Sequence, residues 1–183
     1  MRDVIPSSFR NIVICGDVGT GKTTLSKNLA EKLSWRHMSA GDFFREYVKK
    51  QNTPLWDKSA IPDDVERKVD QELLDKTKND EHIVFDTHYG GWFARNLDDV
   101  FRILLVCDEG VATKRTLERE YTHEETSEEL EKRRRGLREK FKKLYGDDDY
   151  KDPKYFHLVF DTTKAEEGKT LKIALDRFQR ELS

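Results

Sequence analysis

Gly16-Asp17-Val18-Gly19-Thr20-Gly21-Lys22-Thr23 decides how this sequence of 183 residues is read. Glycine, four residues, then Gly-Lys-Thr is a phosphate-binding pattern. Before it, Asn11-Ile12-Val13-Ile14-Cys15 is a short apolar run suited to a buried parallel strand. After it, Leu25, Leu29, Ala30 and Leu33 fall on one face of a helix over 22–33. A polyphosphate needs many donors at close range. Gly16, Gly19 and Gly21 let the loop turn its N–H groups inward, and the helix adds first-turn N–H groups and a positive dipole end. Lys22 brings a charge to the terminal phosphates, and Thr23 a hydroxyl to Mg²⁺. The expected nucleotide contacts are Gly16, Asp17, Val18, Gly19, Thr20, Gly21, Lys22, Thr23 and Thr24. Asp17, an acid beside a bound anion, is expected to point to solvent.

Composition narrows the class. Hydrophobic residues make up 36% and charged residues 38%, which suits one domain with a heavily charged surface. A net charge of -2 gives no support to general nucleic-acid binding. No run of about 18 apolar residues is present to span a membrane. Met1 to Arg10 lacks the apolar stretch of a signal peptide, and Cys15 and Cys107 lack metal-ligand spacing. A cytoplasmic monomer with reduced thiols is the expectation.

Along the chain, strands are expected at 9–15, 36–39, 82–85, 101–107 and 157–160. Helices are expected at 22–33, 42–50, 62–78, 109–121, 123–145 and 170–182. That alternation predicts an α/β fold, a parallel sheet between layers of helices. Residues 87–99 read as a glycine-containing loop. The 123–145 helix carries Leu130, Leu137, Phe141 and Leu144 as a narrow stripe, so it is expected to be long and exposed.

Three constellations carry chemistry. Asp86 closes an apolar run at the carboxyl edge of the sheet, where it can hold Mg²⁺ through water alongside Thr23. Asp108 competes for that role, because Asp108-Glu109 resembles the metal and water-activating pair of large ATPase motors. A helix N-cap is the plainer reading for it. The second constellation is the basic helix, with eight Lys or Arg between 132 and 143. Phosphoryl transfer needs guanidinium groups to neutralise the transferred group and a cover to exclude water. Arg119, Arg133, Arg134 and Arg138 are the candidates, and Lys132, Lys142 and Lys143 read as a solvated face. In the third, Ser39-Ala40-Gly41-Asp42-Phe43-Phe44-Arg45, Asp42 and Arg45 share a first helical turn. They form either a local ion pair or an acceptor site.

With these pieces placed, the chain resembles the nucleoside monophosphate kinases, and within them archaeal-type cytidylate kinases. The resemblance rests on 16–24, on Ser39 to Glu46, on Gly90-Gly91-Trp92-Phe93, on Arg115 with Arg119, on 140–146 and on 157–162. It implies a three-layer P-loop kinase fold, a five-stranded parallel sheet of order 2-3-1-4-5, a helical acceptor-binding region at about 39–80 and a lid at about 122–150. It implies ATP and Mg²⁺ as cosubstrate and cofactor, CMP or dCMP as acceptor, and small nucleotides as the binding partners. The acceptor set becomes Ser39, Asp42, Arg45, His88, Gly91 and Arg95. Lys22, Arg119, Arg133, Arg134 and Arg138 become the catalytic cations. Two positions depart from the pattern. His88 stands where the family usually has arginine, and a neutral imidazole cannot form a bidentate phosphate contact. Arg95 is near enough in the loop to compensate. Lys140 also stands where arginine is common. A kinase for another acceptor, or a nucleotide-binding regulator without transfer activity, fits the same residues.

Overall fold

The structure is a computed structural model that describes residues 9–118, 125–146 and 149–181. Strands β1 (Asn11–Gly16), β2 (Arg36–Ser39), β3 (Ile83–Asp86), β4 (Val100–Val106) and β5 (Leu158–Asp161) form one parallel sheet in the order β2-β3-β1-β4-β5. This is the order implied by the resemblance. Helices α1 (Lys22–Leu33), α2 (Ala40–Gln51), α3 (Asp63–Asn79), α4 (Gly90–Phe93), α5 (Glu109–Leu117), α6 (Ser127–Tyr145) and α7 (Glu167–Glu181) connect and cover it. Strand alternation sorts the core. Ile12, Ile14, Phe101 and Ile103 pack with Leu25 and Leu29 of α1 and Phe178 of α7. Val13, Cys15, Phe85 and Leu104 fill the other face with Ala94 and Met38.

Two expectations change. The 87–99 loop contains α4, whose close docking needs a glycine. The Gly91 N–H donates to Cys15 Sγ at 3.0 Å, and a Cβ at Gly91 would come within 2.2 Å of Phe156. The second change concerns α6, which is not an exposed helix with a thin stripe. Leu130, Arg134, Leu137, Lys140, Phe141 and Leu144 are all buried. Leu130, Leu137 and Phe141 join Val18, Tyr89, Trp92 and Tyr150 in a cluster of their own. A stripe drawn from the apolar residues alone left Arg134 and Lys140 out and hid the width of this face. Lys140 Nζ instead donates to the Ile61 carbonyl at 2.6 Å and pairs with Asp63 at 2.7 Å. The Tyr89 hydroxyl donates to the Leu137 carbonyl at 2.7 Å. A capping box of Thr126 and Glu129 starts the helix.

Two buried polar groups hold the layers together. Asn11, with no exposed surface, donates from Nδ2 to the carbonyls of Thr77 (3.0 Å) and Asp80 (2.7 Å) and accepts from the Ile83 N–H (2.9 Å). One side chain thus ties the end of α3 to the starts of β3 and β1. Asp70 of α3 accepts from the Tyr145 hydroxyl of α6 at 2.6 Å. Burial raises the Asp70 pKa to about 7, with the Tyr145 bond opposing and Glu66 adding to the rise.

Asn11→Ala should lower unfolding free energy by about 2–4 kcal/mol, because it strands three buried backbone groups. Urea denaturation measures it, and a loss below about 1 kcal/mol would mean that those groups find other partners. Unfolded Asp70 ionises near pH ~3.9. Between there and its folded value of about 7 the native state holds the extra proton, so its contribution falls as pH rises through that window. Asp70→Asn removes the titration. The urea midpoint of the wild type should therefore drop relative to that of the variant between about pH 4 and 7. Parallel profiles would show that Asp70 titrates as an ordinary carboxyl.

Candidate active site

The glycine loop leaves β1 and enters α1 through three glycines at positive φ. Gly19 shows why no larger residue serves: its φ is 86°, and a Cβ would lie 2.2 Å from the Ala112 carbonyl oxygen. Gly21 caps α1 in the left-handed conformation and offers no side chain to the first-turn N–H groups. Those groups are left for an anion. Lys22 is buried, and its Nζ donates to the Asp17 carbonyl at 2.8 Å. Burial lowers its pKa to about 8, against the raising charges of Asp86 and Asp17. Asp17 differs from the expectation. Its carboxylate does not stand alone in solvent but is ion-paired with Lys151 at 2.8 Å.

Asp86 sits at the carboxyl end of β3, 3% exposed, opposite Ser39 in the β2 register and Ile14 in the β1 register. It accepts from Ser39 Oγ at 2.9 Å and Ser26 Oγ at 3.1 Å, and lies 2.8 Å from His37 Nε2. Burial acts to raise its pKa. The His37 bond, the charge of Lys22 and the Ser39 bond outweigh that and hold it below its ordinary value. An ionised carboxylate beside the Thr23 end of α1 is a donor set that suits a hard divalent cation. Its oxygens already receive three side-chain contacts, which favours a grip through water. His37 and Ser26 carry no local sequence pattern and were not anticipated. Asp108 takes its plainer role: it caps α5, accepting from the Val111 N–H at 3.0 Å.

The acceptor candidates divide. Ser39 caps α2, accepting from the Asp42 N–H at 3.3 Å, while Asp42 and Arg45 form an ion pair on that first turn. Arg45 folds back over the turn, so that a Cβ on Gly41 would lie 3.1 Å from its guanidinium. Because Ser39 also holds Asp86, this turn stands beside the carboxyl edge of the sheet. His88 is half-buried, with Nδ1 3.2 Å from the Gly16 carbonyl, which makes Nδ1 the protonated nitrogen. Burial, then the charges of Lys22, Arg133 and Lys58, hold its pKa well below the ordinary value, so the ring is neutral. Gly91 lies under Phe156, and Arg95 stacks 3.9 Å above the Trp92 ring while donating to the Trp92 carbonyl. The structure does not gather these two with Ser39 and Asp42.

The lid cations also divide. Arg133 pairs with Glu125 at 3.0 Å, and its charge acts on Lys22, Lys58 and His88. Arg134 braces the loop itself: its guanidinium donates to Thr113 Oγ1 at 2.8 Å and to the Val18 carbonyl at 3.3 Å, and pairs with Glu109. Arg138 is exposed, and its charge acts on Tyr150. Arg119 lies outside the described residues.

Beside the loop is a cleft of about 520 Å³, lined by Thr20, Gly21, Thr24, Arg115, Thr162 and neighbours. Arg115 reaches the Thr162 carbonyl at 2.8 Å, and Thr162 Oγ1 donates to the Thr20 carbonyl at 3.0 Å. This cleft was legible only as a matched pair of motifs, Arg115 and the segment ending at Thr162.

Comparison with known proteins agrees with this geometry. A family model described as an AAA domain matches residues 12–136, from β1 into α6. A cytidylate kinase from Sulfolobus acidocaldarius is 33% identical over 156 residues, covering 83% of this chain and 85% of that protein. Another from Sulfurisphaera tokodaii is 28% identical, covering 88% and 91%. Among solved structures, a deoxyadenosine kinase from M. mycoides with bound dATP superposes with a TM-score of 0.58 at 19% identity, over 92% of this chain and 99% of that one. A gluconokinase from Sinorhizobium meliloti reaches 0.65 at 16% identity, over 94% of each chain. At such identities the solved structures speak for the fold alone. The relatives in sequence say more: with the loop, the Asp86 edge and the α2 turn in one place, this chain belongs to the P-loop nucleoside monophosphate kinases and is an enzyme of that kind.

Proposed function

We propose that the enzyme transfers the γ-phosphoryl group of ATP to CMP or dCMP, giving ADP and the diphosphate. One observation carries the reading. The glycine loop, Asp86 and the Ser39–Arg45 turn meet at one sheet edge, with Arg133 of α6 in the same electrostatic neighbourhood. The relatives named cytidylate kinase support the choice of acceptor.

ATP would lay its phosphates on the loop and its base in the cleft beside Arg115. Thr23 and Asp86 would hold Mg²⁺, which would supply charge neutralisation for the phosphates. Lys22 then exchanges the Asp17 carbonyl for a phosphate oxygen, and the added negative charge raises its pKa from about 8, keeping it cationic. Arg45 would release Asp42 to hold the acceptor phosphate, and Arg133 would release Glu125 to meet charge on the transferred group. No covalent intermediate is required; positioning and charge carry the rate. Residues 39–80 would act as the acceptor-binding region, and the segment from about 122 to 150 as the lid, within one kinase domain. His88, neutral and turned to the Gly16 carbonyl, would steady the loop rather than clamp phosphate.

Lys22→Ala should abolish turnover, by about 10³-fold or more, with the folded spectrum unchanged. Near-full activity would remove Lys22 from the mechanism. Arg133→Ala should lower kcat by about 10²–10³-fold, and because it also leaves the buried Glu125 carboxylate without its cation, the urea midpoint should fall while the variant stays folded; a lowered midpoint with unchanged kinetics would return Arg133 to a purely structural pair with Glu125. ADP release with CMP, dCMP, UMP, AMP, dTMP and shikimate tests the acceptor. A protein that binds ATP and releases no ADP with any of them would be a regulator instead.

A further inference from the structure

Glu66 lies in the first turns of α3 and is 1% exposed. One carboxylate oxygen, Oε1, is 3.3 Å from Lys58 Nζ, and Lys58 is itself buried and stacked 4.4 Å over the Phe44 ring. The other oxygen, Oε2, is buried with no hydrogen-bond donor among the described residues. A buried carboxylate oxygen without a donor is destabilising, which calls for a partner from outside the chain. Glu66 lines a pocket with Lys58, Asp70, Phe44, His88 and Arg133. The pocket runs from the α2 turn and the loop-bracing His88 to the polar end of α3. As it stands it offers about 20 Å³, room for one water, so a base would reach Glu66 only with Phe44 or the α6 wall displaced.

The donor and acceptor pattern of this pocket restricts what suits it. Oε2 only accepts. Beside it, burial holds the Asp70 carboxyl to a pKa of about 7, so that near neutrality it can donate a proton, and Lys58 is a second donor. An acceptor next to a donor complements a base edge with an exocyclic amino group beside a bare ring nitrogen. Cytosine and adenine have that edge. Uracil and hypoxanthine turn a carbonyl oxygen and a ring N–H there, setting oxygen against oxygen.

We propose that Glu66 reads the exocyclic amino group of the acceptor base, selecting amino-bearing monophosphates over their oxo counterparts. This rests on the acceptor site of the proposed transfer reaction and adds the residue that sets base preference.

The test uses the wild-type enzyme with two matched pairs, CMP against UMP and AMP against IMP, and with the CMP analogue lacking the 4-amino group. Dissociation constants by calorimetry are measured beside kcat/KM by ADP release. The amino member of at least one pair should bind and react about 100-fold or more better than its oxo partner. If that pair is CMP and UMP, the deaminated analogue should lose about as much as UMP. In Glu66→Gln, whose amide can turn an N–H toward a carbonyl, that preference should shrink by about 10-fold or more. Equal constants within both pairs, no binding of any monophosphate, or a folded Glu66→Gln enzyme with the full preference would each overturn the assignment. If the variant fails to fold, the matched pairs and the analogue on wild type decide. Selective binding without ADP release would defeat the transfer reading and leave Glu66 standing. Transfer without base preference would do the reverse.

Discussion

The buried carboxylate of Asp86 is the point on which the rest of the structure depends. It closes β3, receives hydroxyl bonds from α1 and β2, sits against His37, and feels the charge of Lys22. A carboxylate 3% exposed would be expelled from such a place if it lacked partners. The same partners bring the phosphate loop, the acceptor turn and the sheet edge within reach of one another. The parallel register makes this possible, because β2 and β3 end together and β1 runs on from beside them into the loop: Ile14 and Ser39 both stand opposite Asp86.

Around that point the cations of the candidate site are each held by a partner within the chain. Lys22 rests on a carbonyl of its own loop, Arg45 on Asp42 and Arg133 on Glu125. Such pairing limits the freedom of each side chain, so any role it takes at the site would cost little further ordering. Arg134 and Lys140 have a different role. Their bonds go to carbonyls of the loop and of the turn before α3, and they fasten α6 to both.

Local spacing made much of this readable in advance. The 16–23 loop, α1 and the buried strands follow from glycine placement and apolar runs, which act over a few residues. The order of the strands depends on pairing between distant segments, and family resemblance supplied it; the meeting of Ser39 with Asp86 depends on the same pairing and was not anticipated. The buried face of α6 was hidden because a hydropathy pattern treats Arg134 and Lys140 as outward, whereas their carbonyl partners let them turn in. His37, Lys58 and Glu66 stayed silent for a related reason. Each acquires meaning only from a partner on another element or from a pocket that several elements build. Asp108 taught the opposite lesson: an acid after a strand was sufficiently explained by the helix that follows it.

The bond from Arg134 to the Val18 carbonyl joins the covering helix directly to the phosphate loop. Any conformation of the loop preferred by a bound polyphosphate is therefore also felt by α6, and thermodynamic linkage makes the influence mutual. To whatever degree a filled loop favours the docked helix, the docked helix tightens the grip on the first nucleotide by the same factor.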